Sequence, residues 1–375
     1  MFNLGRKKHP LLGIDISSTS IKLVELARTG SYSAGMYRVE NAAQEPLPAG
    51  CMAEKKVTDI EAVGTVLEKM MGRVRTKAKH AAVAVPGSAA ITKTIAMSSA
   101  LSESEMEAQI QIEADQYIPY PLEEVNLDFD VIGPSAVSTE MVDVLLAASR
   151  RENVDNRVAV LEMAGLTAEI VDIETYAMEN ACALQLARID EGLEAKTIAV
   201  ADVGATTTTL HVLHGGIIVY TREQNFGGNQ LLDDLQRRYS LSREDALKGL
   251  NQPESSPDNS AEASSNLLTK RVLPENAQTE VIGPFKEALA QQVSRALQFF
   301  YSASSFGRTD QLILAGGAAR LPEIADLVEQ RLGFPVQVAN PFEDMVLAKH
   351  VDRAGLERAA PAMMLAVGLA LRGFN

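Results

Sequence analysis

The chain has 375 residues, with 35 Lys+Arg against 49 Asp+Glu and a formal net charge of -14. This length predicts two domains or one bilobed unit, and the acidic excess argues against a nucleic-acid backbone as the main partner. Two cysteines, Cys51 and Cys182, are too few for a disulfide framework and suit a reducing compartment.

At the start stands a basic tetrad, Arg6, Lys7, Lys8 and His9, with no apolar signal-peptide core behind it. No apolar stretch reaches the roughly 18 residues of a membrane span, so a cytoplasmic protein is expected. The first strand signal, Leu11 to Ile16, carries Asp15 and runs into Ser17, Ser18, Thr19 and Ser20. A second strand follows over Ile21 to Leu26, making a β-hairpin. Ala81 to Val85 reads as a buried strand closed by Pro86-Gly87. Ser102 and Glu105 form a capping box that opens a helix. Met106, Ile110, Ala114 and Tyr117 keep its spacing until Pro119 stops it. Two strands near 126–133 and 141–148 and a helix from Glu152 to Ala164 complete a compact unit inserted at about 88–165. Val154, Val158 and Leu161 are expected to form the buried face of that helix. Tyr117, Pro119, Tyr120 and Pro121 leave two readings open, a helix-to-strand corner or a rigid ledge that receives a peptide.

The second half repeats the first. Ile198 to Ala201 leads into Asp202, Val203, Gly204, Ala205, Thr206 and Thr207, and another strand follows over Thr208 to Leu213. Asp15 and Asp202 stand 187 positions apart, half the chain, which predicts two lobes built on one unit. The expected divisions are a first lobe at 1–196, a second at 197–350 and a C-terminal helix at 351–375. A Ser- and Pro-rich loop is expected at 251–265. A long helix runs from Glu280 with Ile282, Phe285, Leu289, Val293, Ala296 and Phe300 at helical spacing. A strand over Gln311 to Leu314 then meets Gly316, Gly317 and Ala318, and Ala362 to Leu371 reads as a buried helix.

Three small-residue turns thus follow strands, at Asp15, Asp202 and Gly316. Phosphates bind where backbone N–H groups converge without side chains in the way. A carboxylate beside such a turn repels phosphate directly, but suits Mg²⁺ held through water. Asp15 and Asp202 are therefore the expected metal residues of a nucleotide site clamped from the two lobes. Lys22 either reaches phosphate or stands as an exposed strand charge. The five histidines show no zinc spacing with the cysteines, and no Gly-x-Ser-x-Gly elbow or Walker A motif is present.

These turns resemble the phosphate and adenosine motifs of the actin–Hsp70–hexokinase ATPase superfamily. The resemblance implies a bilobed α/β, actin-like fold, a duplicated ribonuclease-H-like unit, with ATP and Mg²⁺ as ligands. It assigns phosphate contacts to Asp15, Ser17, Ser18, Thr19, Ser20, Lys22, Asp202, Gly204, Ala205, Thr206 and Thr207. Gly227 and Gly228 resemble the superfamily's Gly-Gly turn, and Gly316, Gly317, Ala318 and Arg320 its adenosine motif. Asp172 to Met178 is similar to its first connecting helix, where Glu174 matches an acidic residue that orients attacking water. A first-turn acid stabilised by the helix dipole is the other reading of Glu174. Ser17 replaces the usual glycine of the first motif, which favours ATP binding over turnover.

Within the superfamily, the run Ile112 to Val125, the stretch Gln291 to Phe300 and Asn340-Pro341-Phe342 resemble a type IV pilus assembly family related to the cell-division protein FtsA. The resemblance implies an FtsA-like inserted subdomain 1C. It also implies an ATP-binding adaptor, at most a weak ATPase, that takes the cytoplasmic tail of the inner-membrane protein PilN and supports pilus biogenesis and twitching motility. Other pilus inner-membrane and motor components and a homo-oligomer are further implied partners. The protein is expected at the inner membrane through partners rather than by insertion. The alternatives are a filament-forming division-type actin homologue and a superfamily kinase or phosphatase.

Overall fold

In the computed structural model, which describes residues 10–29, 36–136, 138–188, 192–251 and 272–374, the apolar run Leu11–Ile16 forms strand β1 and is buried at every position. Strands β2 (Ser20–Arg28) and β3 (Tyr37–Pro46) continue an antiparallel meander. A two-residue turn joins β4 (Met52–Ala53) to β5 (Lys56–Val57). Helix α1 (Ile60–Arg73) starts where the Asp59 side chain accepts the Ala62 N–H at 2.9 Å, satisfying one orphan donor of its first turn. Next come β6 (His80–Val85), β7 (Ala90–Ser98), α2 (Glu103–Glu113), β8 (Val125–Pro134), β9 (Met141–Arg150), α3 (Arg151–Met163), β10 (Thr167–Ile173) and α4 (Glu174–Leu186). The second half follows with β11 (Thr197–Val203), β12 (Thr208–His214), β13 (Ile217–Gln224), α5 (Gly228–Tyr239), α6 (Arg243–Asn251), α7 (Gly283–Ala303), β14 (Gln311–Ala315), α8 (Ile324–Leu332) and β15 (Val336–Val338). The chain ends with β16 (Val346–Leu347), α9 (Arg353–Ala359) and α10 (Met364–Leu371). The basic tetrad at 6–9 and the loop expected at 251–265, beyond Asn251, lie outside the described residues.

Two compact units result, one of Met1–Ile189 with Asn340–Asn375, the other of Asp190–Ala339. The first holds a six-stranded sheet in the order β10-β6-β1-β2-β3-β16. The second holds five strands in the order β13-β12-β11-β14-β15. In each, an antiparallel three-strand meander is extended by two parallel strands beside its first strand. The duplication read from Asp15 and Asp202 therefore extends to strand order and direction. Parallel neighbours need crossovers, and α1, α3 and α8 lie in three of them.

Within the first unit, β7, β9 and β8 form a separate three-stranded sheet, with Met106 and Ile110 of α2 packed on Val144 and Leu146. The capping box of Ser102 and Glu105 starts α2, where the Ser102 N–H donates to Glu105 Oε2 at 2.8 Å. Ala81 to Val85 lies in the main sheet, between β1 and β10. The inserted sheet's first strand, β7, is not among the strands read from the sequence. Only Met97 of that strand is buried, so its sequence carries only a weak apolar alternation. One expectation is corrected here: the buried face of α3 is Asn153, Arg157, Val160 and Leu161 rather than Val154, Val158 and Leu161. These four recur at helical spacing, and Asn153 and both terminal nitrogens of Arg157 are hydrogen-bonded where they are buried.

Helix α10 is apolar and buried from Met364 to Leu371 save a half-buried Leu365. Its approach to α4 is so close that a Cβ on Gly368 would sit 1.7 Å from the Ala177 carbonyl oxygen. Gly13 does the same for β1, with a Cβ position 2.1 Å from the Ala366 oxygen. Among the described residues no single helix is long and apolar enough to cross a membrane.

Candidate functional site

In open α/β sheets the carboxyl ends of parallel strands are where ligands bind. In the first unit those ends are Asp15–Ile16 of β1, Val85 of β6 and Ile173 of β10, which leads into Glu174. Asp15 and Lys22 face each other across the β1–β2 pair. The Lys22 Nζ donates to Asp15 Oδ2 at 2.7 Å and to Ser17 Oγ at 3.0 Å. Lys22 is 7% exposed and Asp15 5%, which corrects the reading of Lys22 as an exposed strand charge. Cross-strand register, rather than alternation alone, sets its direction. Ser17 closes the turn, its N–H and Oγ donating to the Ser20 carbonyl at 3.0 and 2.8 Å. Ser18 and Thr19 are half-buried at the tip, and Ser20 is buried at the start of β2.

Glu174 is the first residue of α4, and its Oε2 accepts Lys55 Nζ at 3.0 Å. Lys55 and Glu54 form the two-residue turn of the β4–β5 hairpin, at φ of 63° and 46°. Such turns need the left-handed region at both positions and normally recruit Asn-Gly, so this tip is held against its own preference. Close by in sequence, burial pushes the Asp172 carboxyl above the usual range, with Arg372 and the Ile173 N–H pulling it back.

In the second unit the turn after β11 closes in the same way, the Gly204 N–H donating to the Thr207 carbonyl at 2.9 Å. Asp202 is half-buried, as are Gly204, Ala205 and Thr207, whereas Thr206 is exposed. The Gly-Gly turn rests on this loop. Gly228 and Asn229 donate their N–H groups to the carbonyls of Gly204 and Ala205 at 2.9 and 2.8 Å. A Cβ on Gly227 would lie 2.6 Å from the Ala205 carbonyl. Gly316, at φ 87°, meets the loop from β14, its Cβ position 2.3 Å from the Val203 oxygen and 2.6 Å from Asp202 Oδ1. Gly317 is exposed and Ala318 buried, and the exposed Arg320 donates to Asn251 Oδ1 at 2.8 Å. Three of the sequence-predicted turns thus meet around Asp202.

Tyr117 and Tyr120 pack partly on Ala114, Ile118, Val125 and Ala148, with the Arg150 guanidinium 4.2 Å from the Tyr120 ring centre. They form the corner between α2 and β8, and Pro119 and Pro121 are exposed there. Among the described residues no group of three or more His, Cys, Asp or Glu is placed to hold a metal by itself. Sequence reasoning missed Lys55, because its partner Glu174 lies 119 positions away. It also missed Arg157, whose charge looked like solvent-facing helix.

The family model described as Type IV pilus assembly protein PilM matches residues 13–374. A solved PilM-PilN type IV pilus biogenesis complex is similar with a TM-score of 0.76 and 25% identity, covering 98% of this chain and 99% of that one. The ethanolamine utilization protein EutJ from Carboxydothermus hydrogenoformans is similar with a TM-score of 0.55 and 17% identity, over 96% and 88% of the two chains.

Proposed function

Because the chain belongs to the type IV pilus assembly protein PilM family and has the actin-like fold, we propose that it is an ATP-binding adaptor of the pilus inner-membrane assembly complex. In this reading it takes the cytoplasmic N-terminal tail of PilN and supports pilus biogenesis and twitching motility. The observation that carries the proposal is the match to the PilM-PilN complex along 98% of this chain and 99% of that one. It reaches the inner membrane through that tail and contacts the other pilus components from there.

The nucleotide part rests on the turns. Gly204, Gly227 and Gly316 bring backbone together around Asp202 without side chains between them, and small turns of this kind suit phosphate. Mg²⁺ is ordinarily held by one or two carboxylates together with phosphate oxygens and water, so a single carboxylate fits a metal that arrives with its nucleotide. Asp202, whose Oδ1 stands where these turns meet, is the carboxylate we assign to that role, and Mg²⁺ would supply charge neutralisation of the phosphates. Glu174 is engaged by Lys55, which favours ATP as a conformational ligand over ATP as a fuel. Replacing Asp202 by alanine should weaken Mg-ATP binding about 10- to 100-fold, the worth of one charged contact. Equilibrium titration with and without Mg²⁺ measures it, and unchanged affinity with unchanged Mg²⁺ dependence would remove Asp202 from the site. Titration of the PilN tail tests the partner half, with saturable binding expected.

A further inference from the structure

A line of buried polar groups runs through the first unit. Ser149 Oγ, at the end of β9, donates to the Ala89 carbonyl at 2.9 Å, just before β7. Asn153 Nδ2 donates back to Ser149 Oγ at 3.4 Å, and Arg157 Nη1 donates to the Asn153 carbonyl at 3.1 Å. Arg157 Nη2 donates to the Lys55 carbonyl at 2.9 Å, and Lys55 Nζ reaches Glu174 Oε2 at 3.0 Å. Ser149, Asn153 and Arg157 are 9%, 8% and 1% exposed. Helix α3 carries the middle of this line and follows β9, the central strand of the inserted sheet, without a break.

Arg157 is a costly residue to keep there. Its charge is desolvated, both of its bonded partners are carbonyls, and its Nε has no hydrogen-bond partner among the described residues. A buried charge without a directly bonded counter-ion is strongly unfavourable. Burial pushes the guanidinium below its usual range, while the carboxylates of Glu174 and Asp15 act in the opposite direction. Arg157 is tied to the loop end of this unit through Lys55, whose carbonyl it holds and whose ammonium reaches Glu174, and β10, which leads into Glu174, lies one strand from β1 and its Asp15 end. Added negative charge there strengthens its attraction towards that end, and α3 and the Ser149 end of the line are bonded to it.

We propose that this buried line, with Arg157 at its centre, transmits ligand occupancy at the Asp15–Ser20 turn to the inserted β7–β9–β8 unit. The inference rests on the nucleotide reading above, taken together with the phosphate contacts expected at Ser17, Ser18, Thr19 and Ser20, and adds the route by which nucleotide alters the inserted unit. A ligand shifts a conformational balance only through unequal interaction with its states, and Arg157 supplies that inequality. A shape-filling methionine in its place removes the charge and keeps most of the packing, while the Asn153 and Lys55 carbonyls lose their donor.

The test is amide hydrogen exchange of the full chain, with and without Mg-ATP, in wild type and in Arg157→Met, after ATP affinity has been measured for both. In the wild type, ATP is expected to slow exchange across 90–163 by about fivefold or more, the lower end of ordinary coupling between sites. Arg157→Met is expected to bind ATP within about threefold of wild type and to lose that slowing. Slowing that persists in Arg157→Met would overturn the inference, as would wild-type ATP binding that leaves 90–163 unchanged. Absence of ATP binding by the wild type would instead overturn the nucleotide reading, and this inference with it. If Arg157→Met does not fold, the wild-type exchange map decides. Slowing in both 90–150 and α3 supports the route, and slowing in 90–150 that spares α3 overturns it.

Discussion

Replacement of Lys22 by methionine is expected to destabilise the first unit by about 3–5 kcal/mol, the usual result of breaking a buried ion pair from one side. The stem of lysine packs no better than methionine, so the loss comes from the carboxylate left behind. Asp15 is 5% exposed, and Lys22 Nζ is bonded to both its Oδ2 and the Ser17 hydroxyl. Removing the ammonium leaves a desolvated carboxylate at the end of a strand whose six residues are all buried. The second change Asp15→Asn should restore much of the loss, because it removes the uncompensated charge. Urea denaturation of the two variants measures this directly. A loss below about 1 kcal/mol for Lys22→Met would mean that the pair behaves as an exposed one.

Gly368→Ala is the second large effect. The added methyl carbon would fall 1.7 Å from the Ala177 carbonyl oxygen, far inside van der Waals contact and against backbone rather than a movable side chain. Helix α10 would have to leave α4, and with it Ala366, Val367 and Ala370 would lose their packing on Val24, Leu26 and Val39. Overpacking of this kind costs about 3 kcal/mol, and the melting temperature of the first unit should fall by about 6–12 °C. Scanning calorimetry checks it. Helix propensity alone predicts the opposite sign, since alanine is favoured over glycine in a helix interior by about 1 kcal/mol, so a stabilised variant would contradict the close approach of α10 to α4.

The sequence makes the two hairpins legible because each couples an apolar strand to a run of small polar residues, and their repetition excludes chance. The capping box at Ser102 and the long helix with Phe285 and Phe300 are legible for similar reasons, since their signals are local. What escapes is what depends on tertiary contact. Strand β7 buries only Met97, so Ala90 to Ser98 lacks the buried run that marks β1. Arg157 reads as a surface charge until the carbonyls of Lys55 and Asn153 stand around it. Lys55 reads as a turn residue, and its bond to Glu174 joins segments that nothing in either one connects. Of the candidate site, the residue types of the turns are legible, but the pairing of Asp15 with Lys22 is fixed by strand register.

Those pairings shape the functional account. Asp15, expected as a metal residue, is held by Lys22, and Glu174, expected to orient water, is held by Lys55. Under the proposed function nucleotide acts through the equilibrium it shifts, and the consequence to be measured is at the partner surface. Calorimetric titration of a peptide matching the cytoplasmic N-terminal tail of PilN into the full chain, with and without Mg-ATP, addresses this most directly. Saturable one-to-one binding, with an affinity that changes when Mg-ATP is present, is the expected result. Absence of binding in both conditions would contradict the adaptor role.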